Sequence, residues 1–472
     1  MSGGVAVLVT LVVYKVVLVV IGVVASRVTR DDADFYLGGR RLGPWVAALS
    51  ASASSSSAWT LLGVSGAAYA WGLSAVWLFP ACVGGFLLNW YVLAPALQRL
   101  SHDRGALTVI EVLAGPRGTP LRRWIVSVAA LIVVLSFTAY VAAQFQGAGK
   151  TFQETFGMAA EPAILVGAGI VVLYTLLGGF WAVSISDALQ AGAMVLAALL
   201  LPTAVVLAVG GPAALVTGIG AVDAEGFGSL TRGMAPAAGV GFVAGLLGIG
   251  LGYPGQPHVV NRFMALADTP GALVVARRVA VAWAVLVYAG MLVVGWGGRV
   301  LYPVLTDNEV VFVAAANGLL PPVVAGVLLA AVLSAIMSTA DSQLLAAASS
   351  VTHDLGVGGS GKRLVWSRAV VVAVSVAAVG LAIWGSQDIF NRVLFAWTAL
   401  GNAFGPLLVV AALTMRRCAP GATLAAILVG FGGSVLAYSF PETKGTVVER
   451  VLPFVAGLVI AWAGSRRAPS GP

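Results

Sequence analysis

The chain has 472 residues, of which 60% are hydrophobic and only 9% charged, whereas soluble domains carry about 25% charged residues. With a mean hydropathy of +0.99, a soluble fold is excluded and one multi-span membrane bundle is expected. The formal charge of +8 reads as basic loops facing one side of a membrane rather than as a nucleic-acid surface.

In chain order, Val5 to Ala25 is the first apolar run of spanning length. No basic residue and no small-residue cleavage site mark it as a leader, so a retained helix is expected. Lys15 within it is expected to snorkel towards the headgroups. The next span is unlike the plain Val/Leu/Ala runs, because Ala47 to Trp59 contains six serines. Ile125 to Ala143 and Ala163 to Leu177 are ordinary apolar spans. Asp187 lies near the start of the sixth span and is its only acidic residue; an ionisable group there points to function. Gly248 to His258, in the seventh span, holds several glycines with Pro254 and Pro257. Proline removes a donor and clashes with the preceding turn, so this segment should unwind and free carbonyl oxygens at mid-depth. In the ninth span, Ala335, Ser338, Thr339 and Ser342 stand at i, i+3, i+4 and i+7, on one helical face with Asp341 beside it.

Placing a helix wherever apolar length suffices predicts thirteen transmembrane helices in an all-α fold. With the N-terminus outside and the C-terminus cytoplasmic, nineteen of the 26 Lys and Arg fall in the cytoplasmic loops and six outside, and one helix more or fewer in the middle would erase that bias. Interrupted segments in spans two and seven sit where two inverted five-helix repeats would place a transporter site. The expected division is an extra helix over 4–25, a first repeat over 43–209, a second over 238–415 and two extra helices over 420–467. Hydroxyls, carbonyls and one carboxylate suit a dehydrated sodium ion better than a proton, which needs no ring of neutral oxygens. Cys82 and Cys418 are expected at different depths, without a disulfide.

Asp34-Phe35-Tyr36-Leu37-Gly38-Gly39-Arg40-Arg41-Leu42-Gly43-Pro44, Ala48-Leu49-Ser50-Ala51, Gly178-Gly179-Phe180, Gly250-Leu251-Gly252-Tyr253, Gly255-Gln256-Pro257-His258, Arg262-Phe263-Met264-Ala265 and Met337-Ser338-Thr339 resemble stretches of the sodium/solute symporter family, most closely its bacterial sodium/proline branch. The resemblance implies the leucine-transporter-type fold and sodium-coupled uptake of a small organic solute across the inner membrane, with no enzyme activity, nucleic acid or obligatory protein partner. It implies a sodium ion held by the carbonyls of Ala53, Ser56 and Ala335 and the hydroxyls of Ser338 and Thr339, and a second sodium site at Asp187, Asp341 and Ser342. Ser57, Tyr140 and Tyr253 match positions of proline recognition, with Ile249, Ser54 and Gln256 from the interrupted segments completing the expected substrate set. Ser55 stands where that branch has an aspartate, and Ile249 and Pro254 replace aromatics, so a similar amino acid, a monocarboxylate, pantothenate or a sugar is the alternative cargo.

Gln144 to Thr151 imitates a phosphate-binding loop but lacks the first glycine and a preceding strand. His258 and His353 have no evident partners for a metal cluster, and His102 lies in a charged loop. A membrane sensor of the same fold is the competing class; it would need a separate output partner.

Overall fold

The computed structural model describes residues 3–26, 37–177 and 180–466. Asp34 to Tyr36, Gly178, Gly179 and the side chain of Lys15 lie outside the described residues. Helices dominate because a backbone in lipid must satisfy its own polar groups. They are α1 (Gly3–Ser26), α2 (Pro44–Ser55), α3 (Val64–Trp71), α4 (Leu78–Leu87), α5 (Ala94–Arg104), α6 (Val109–Ala114), α7 (Arg122–Phe156), α8 (Ala160–Leu177) and α9 (Phe180–Val209). There follow α10 (Pro212–Gly220), α11 (Pro236–Leu247), α12 (Pro257–Ala265), α13 (Ala272–Leu301), α14 (Val311–Leu319), α15 (Pro322–Ser349), α16 (Gly359–Trp384), α17 (Ile389–Thr414), α18 (Pro420–Tyr438) and α19 (Leu452–Ala463). A two-residue antiparallel ribbon, Arg417 opposite Arg466 and Cys418 opposite Ser465, ties the start of α18 to the end of α19.

Among the described residues nine helices are long and apolar enough to cross a membrane, with α8 and part of α1 apolar but shorter. The expected spans outside the nine fall on α1, α2, α8 and α19, which are short or interrupted. Both free cysteines stand apart, Cys82 buried in α4 and Cys418 half-buried in the ribbon.

Two interruptions organise the interior. The helix of α2 stops at Ser55, and Ser56 is extended (φ −122°, ψ 96°) before a wide π turn over Trp59–Gly63 leads into α3. α11 gives way to a tight 3₁₀ stretch, Gly248–Gly255, and then to extended Gln256 (φ −97°, ψ 97°) before α12. The Gly/Pro composition explains the second break; in the first, serine side chains compete for backbone groups. α9, α13 and α15 pack around α2, while α17 and α4 lie along the 3₁₀ stretch. The approach there is so close that a Cβ on Gly255 would sit 2.5 Å from Leu400 O and 2.6 Å from Gly401 Cα. The chain entering α2 also bonds to the chain leaving α12, through Leu42 N to Ala265 O (3.1 Å) and Ala267 N to Leu42 O (2.9 Å).

Candidate functional site

The break at Ser56 frees the carbonyls of the last turn of α2, and α15 brings its hydroxyl face to them. Ser338 Oγ donates to Ala53 O at 3.1 Å and to Ala335 O at 3.2 Å. Thr339 Oγ1 donates to Ser54 O at 3.2 Å and reaches Ala53 O at 3.4 Å. All five residues expected around the ion, Ala53, Ser56, Ala335, Ser338 and Thr339, are fully buried. Bonding of Ser338 and Thr339 back to their own helix accounts for one contact only, to Ala335; the others cross to α2. Turning the two hydroxyl hydrogens away offers a cation converging carbonyl and hydroxyl oxygens, the ligand type a hard ion needs.

A second polar group lies one turn away along α2. Asp187 Oδ2, on α9, accepts from Ser50 Oγ (2.8 Å), Ser54 Oγ (3.0 Å) and Arg262 Nη2 (3.0 Å). Arg262, from α12, also donates to Ser342 Oγ (2.6 Å), Ser50 Oγ (3.1 Å) and the carbonyl of His258, and lies over the Phe180 ring at 5.0 Å. Asp341 is fully buried nearby, and neither carboxylate oxygen has a hydrogen bond among the described residues. One buried guanidinium faces two buried carboxyl groups, so a monovalent cation would balance the cluster with both of them ionised. Asp187, Asp341 and Ser342 are thus one cluster, with Arg262 and Ser50 as members that sequence reasoning missed. The Ser54 hydroxyl joins this cluster, meeting Asp187 and, at 3.1 Å, Ser342.

Beyond the break, polar atoms are set among aromatic rings. Ser57 Oγ accepts from Tyr140 OH (3.3 Å) and Trp59 N (3.1 Å), while Gln144 Oε1, also missed, accepts from Ala58 N (2.9 Å). Tyr253 OH meets Tyr288 OH at 2.9 Å, and its ring lies 4.7 Å from that of Trp397, itself 6.5 Å from Tyr140. Gln256 Nε2 holds Gly252 O (3.0 Å) and Trp397 O (2.9 Å), and its buried Oε1 has no partner among the described residues. Ile249 is buried in the 3₁₀ stretch, its carbonyl accepting from Trp397 Nε1 at 3.2 Å. Towards one end of the bundle Phe390 meets the tilted ring of Trp59 at 5.5 Å and Trp71 edge-on at 5.0 Å. There Lys150 Nζ pairs with Asp307 (2.6 Å) and Glu309 (2.5 Å), whose Oε1 accepts from Phe390 N at 2.8 Å at the start of α17. Burial raises the Glu309 carboxyl above its ordinary range, with Lys150 opposing.

The Gln144 to Thr151 stretch is continuous helix inside α7, so no phosphate-binding loop forms. His353, expected to stand apart, instead lies 3.1 Å from Glu111 through Nε2, and these two with Asp354 bring ligand atoms within 4.8 Å of one another. Glu111 precedes His353 by 242 positions and reaches it because α6 packs against the π turn Ser350–Asp354 that follows α15.

Two interrupted helices, one of them meeting a hydroxyl-lined helix, are a transporter arrangement, and comparison with known proteins decides which. The profile described as the sodium:solute symporter family matches residues 35–430. The chain belongs to the sodium:solute symporter family. Membership makes it a multi-span membrane symporter whose cargo is sodium and a solute. It is 38% identical to the sodium/proline symporter of Escherichia coli K12, over 90% of this chain and 86% of that one. It is 34% identical to the osmoregulated proline transporter of Bacillus subtilis 168, over 98% and 96%. Among solved structures it is similar to a Na⁺-coupled sialic acid symporter in a substrate-bound outward-open state, with a TM-score of 0.79 at 17% identity, covering 98% of this chain and 99% of that one. A nucleobase-cation-symport-1 family transporter in a closed conformation follows at 0.57 and 13%, covering 92% and 94%. These likenesses show the leucine-transporter-type fold for this symporter.

Proposed function

We propose that this symporter carries proline, or a closely similar amino acid, inward on the sodium gradient. The observation that carries the ion half is the meeting of α2 and α15 oxygens: Ser338 and Thr339 reach the carbonyls of Ala53 and Ser54 across the break. A sodium ion held by Ala53, Ser56, Ala335, Ser338 and Thr339 ties the interrupted helix to the surrounding bundle. The same interrupted helix presents Ser57 to the solute, so ion and solute stabilise one geometry and each raises the affinity for the other. Asp187, Asp341 and Ser342 supply a second sodium site, supported by the two Asp341 oxygens, buried with no hydrogen bond among the described residues.

For the solute, Tyr140, Tyr253, Trp397 and Ser57 offer flat apolar faces and hydroxyls, and extended Ser56 and Gln256 place unwound backbone beside them. Backbone freed at a break suits the carboxylate and ammonium of an amino acid, and rings suit a pyrrolidine. The similarity to proline transporters supports that choice. Ile249 in place of an aromatic widens the side of the pocket along the 3₁₀ stretch, which favours tolerance of ring-substituted analogues.

We also hold to thirteen spans, an external N-terminus and a cytoplasmic C-terminus, supported by the distribution of Lys and Arg over the loops. The protein acts without an obligatory protein partner. Uptake of labelled proline into proteoliposomes tests the reading: accumulation under an inward sodium gradient is expected, competed by unlabelled proline and absent with potassium alone. Sodium-driven uptake of a monocarboxylate or sugar in preference to proline would replace the solute but keep the ion.

A further inference from the structure

The end of the bundle where α5, α6, α7 and α17 finish or begin holds a group of arginines that neither ion nor solute uses. A cavity of about 490 Å³ is lined by Arg104, Arg117, Arg122 and Arg417, with Asp103 and Glu111 as its acids. Glu111 is already engaged, accepting from Leu107 N (2.9 Å) and meeting His353. Arg104 gives one bond to Val112 O (3.2 Å) and Arg122 one to Gly115 O (3.0 Å). Arg417 Nε is buried with no hydrogen bond among the described residues. None of the four forms an ion pair with a carboxylate among those residues. Each guanidinium carries five donors, so the cavity is rich in unspent donors and positive charge.

A second cavity, of about 280 Å³, shares Arg104 and Arg417 and continues onto apolar Leu113, Leu407 and Ala411. Exposed Leu121 and Trp124 at the start of α7, and exposed Leu413 and Met415 at the end of α17, flank the site along the chain. A tryptophan and apolar side chains of this kind mark the membrane interface. A free anion would be served by the arginines alone; the apolar continuation is what a diester carrying hydrocarbon adds.

We propose that these two cavities together bind one anionic phospholipid, its phosphate among Arg104, Arg117, Arg122 and Arg417 and its glycerol and first methylenes against Leu113, Leu407 and Ala411. The bound lipid joins α6, α7 and α17, which belong to different parts of the bundle, and neutralises charge that otherwise repels.

Native mass spectrometry of the symporter from phosphatidylglycerol/phosphatidylcholine mixtures tests this. The wild type is expected to retain one phosphatidylglycerol in clear preference to phosphatidylcholine, and inorganic phosphate at millimolar concentration is expected not to displace it. Arg117→Gln with Arg417→Gln, neither of which bonds to backbone in the site, is expected to lower that preference by about fivefold per charge removed, with thermal midpoints in pure phosphatidylcholine discs unchanged. Equal retention of the two lipids by the wild type overturns the proposal whatever the variant does. Undiminished preference in the double variant, or displacement by phosphate, overturns it as well, the latter in favour of a free-anion site.

Discussion

Replacing Asp187 with Asn removes the charge that faces Arg262 while keeping the shape. Oδ2 accepts from Ser50, Ser54 and Arg262 at 2.8 to 3.0 Å, and both members of the pair are fully or almost fully buried. Breaking a buried pair by removing one partner costs about 3–5 kcal/mol, and Asp341 remains to offset part of it. With the lower figure, an equilibrium between a state that makes the pair and one that opens it shifts by about two powers of ten. The narrow cleft leading to Arg262, about 30 Å³ and lined by Asn261, Ser342 and Ser349 among others, provides the readout. Ser349→Cys, placed in a background lacking Cys82 and Cys418, should react with a charged thiol reagent at least tenfold faster when Asp187→Asn is added, and the sodium concentration for half-maximal uptake should rise. A labelling rate within twofold, with sodium kinetics unchanged, would refute the reasoning.

Other expectations follow from single contacts. Tyr140→Phe removes the hydroxyl on Ser57 and should raise KM for proline severalfold while leaving sodium half-saturation alone; equal effects on both would place Tyr140 outside the solute pocket. Glu309→Gln strips the charge that holds Lys150 and the start of α17, and charge-assisted hydrogen bonds contribute about 1.5–3 kcal/mol each, so a lowered thermal midpoint is expected in nanodiscs. Gly255→Ala forces a methyl onto the backbone of Leu400 and Gly401, where nothing can yield; overpacking of about 1–3 kcal/mol or more should appear as loss of folded protein on size-exclusion chromatography.

The breaks were legible because their causes are local: prolines and glycines in one segment, a serine run in the other. The ladder Ala335, Ser338, Thr339, Ser342 is legible from helical spacing, and Ser338, Thr339 and Ser342 of it meet α2. What stayed hidden was long-range pairing. Arg262 follows a break and reads as part of a short motif; only the packing of α12 against α2 carries it to Asp187, 75 positions earlier. Lys150 sat in a stretch that mimics a phosphate loop, and its partners Asp307 and Glu309 lie more than 150 residues on. The partner of the Ser54 hydroxyl, Asp187 on α9, lies 133 positions on and is equally invisible to local spacing. His353 gained Glu111 in the same way, through the packing of α6 against a π turn that no local pattern announces.

Coupling rests on oxygens of α2 and α15 holding the ion. Its most direct measurement is sodium-dependent proline uptake in proteoliposomes by the Ser338→Ala/Thr339→Ala double variant, alongside proline binding at saturating sodium. The account predicts that the sodium gradient no longer drives uptake in the double variant although the protein remains folded. Undiminished sodium-driven uptake would contradict it.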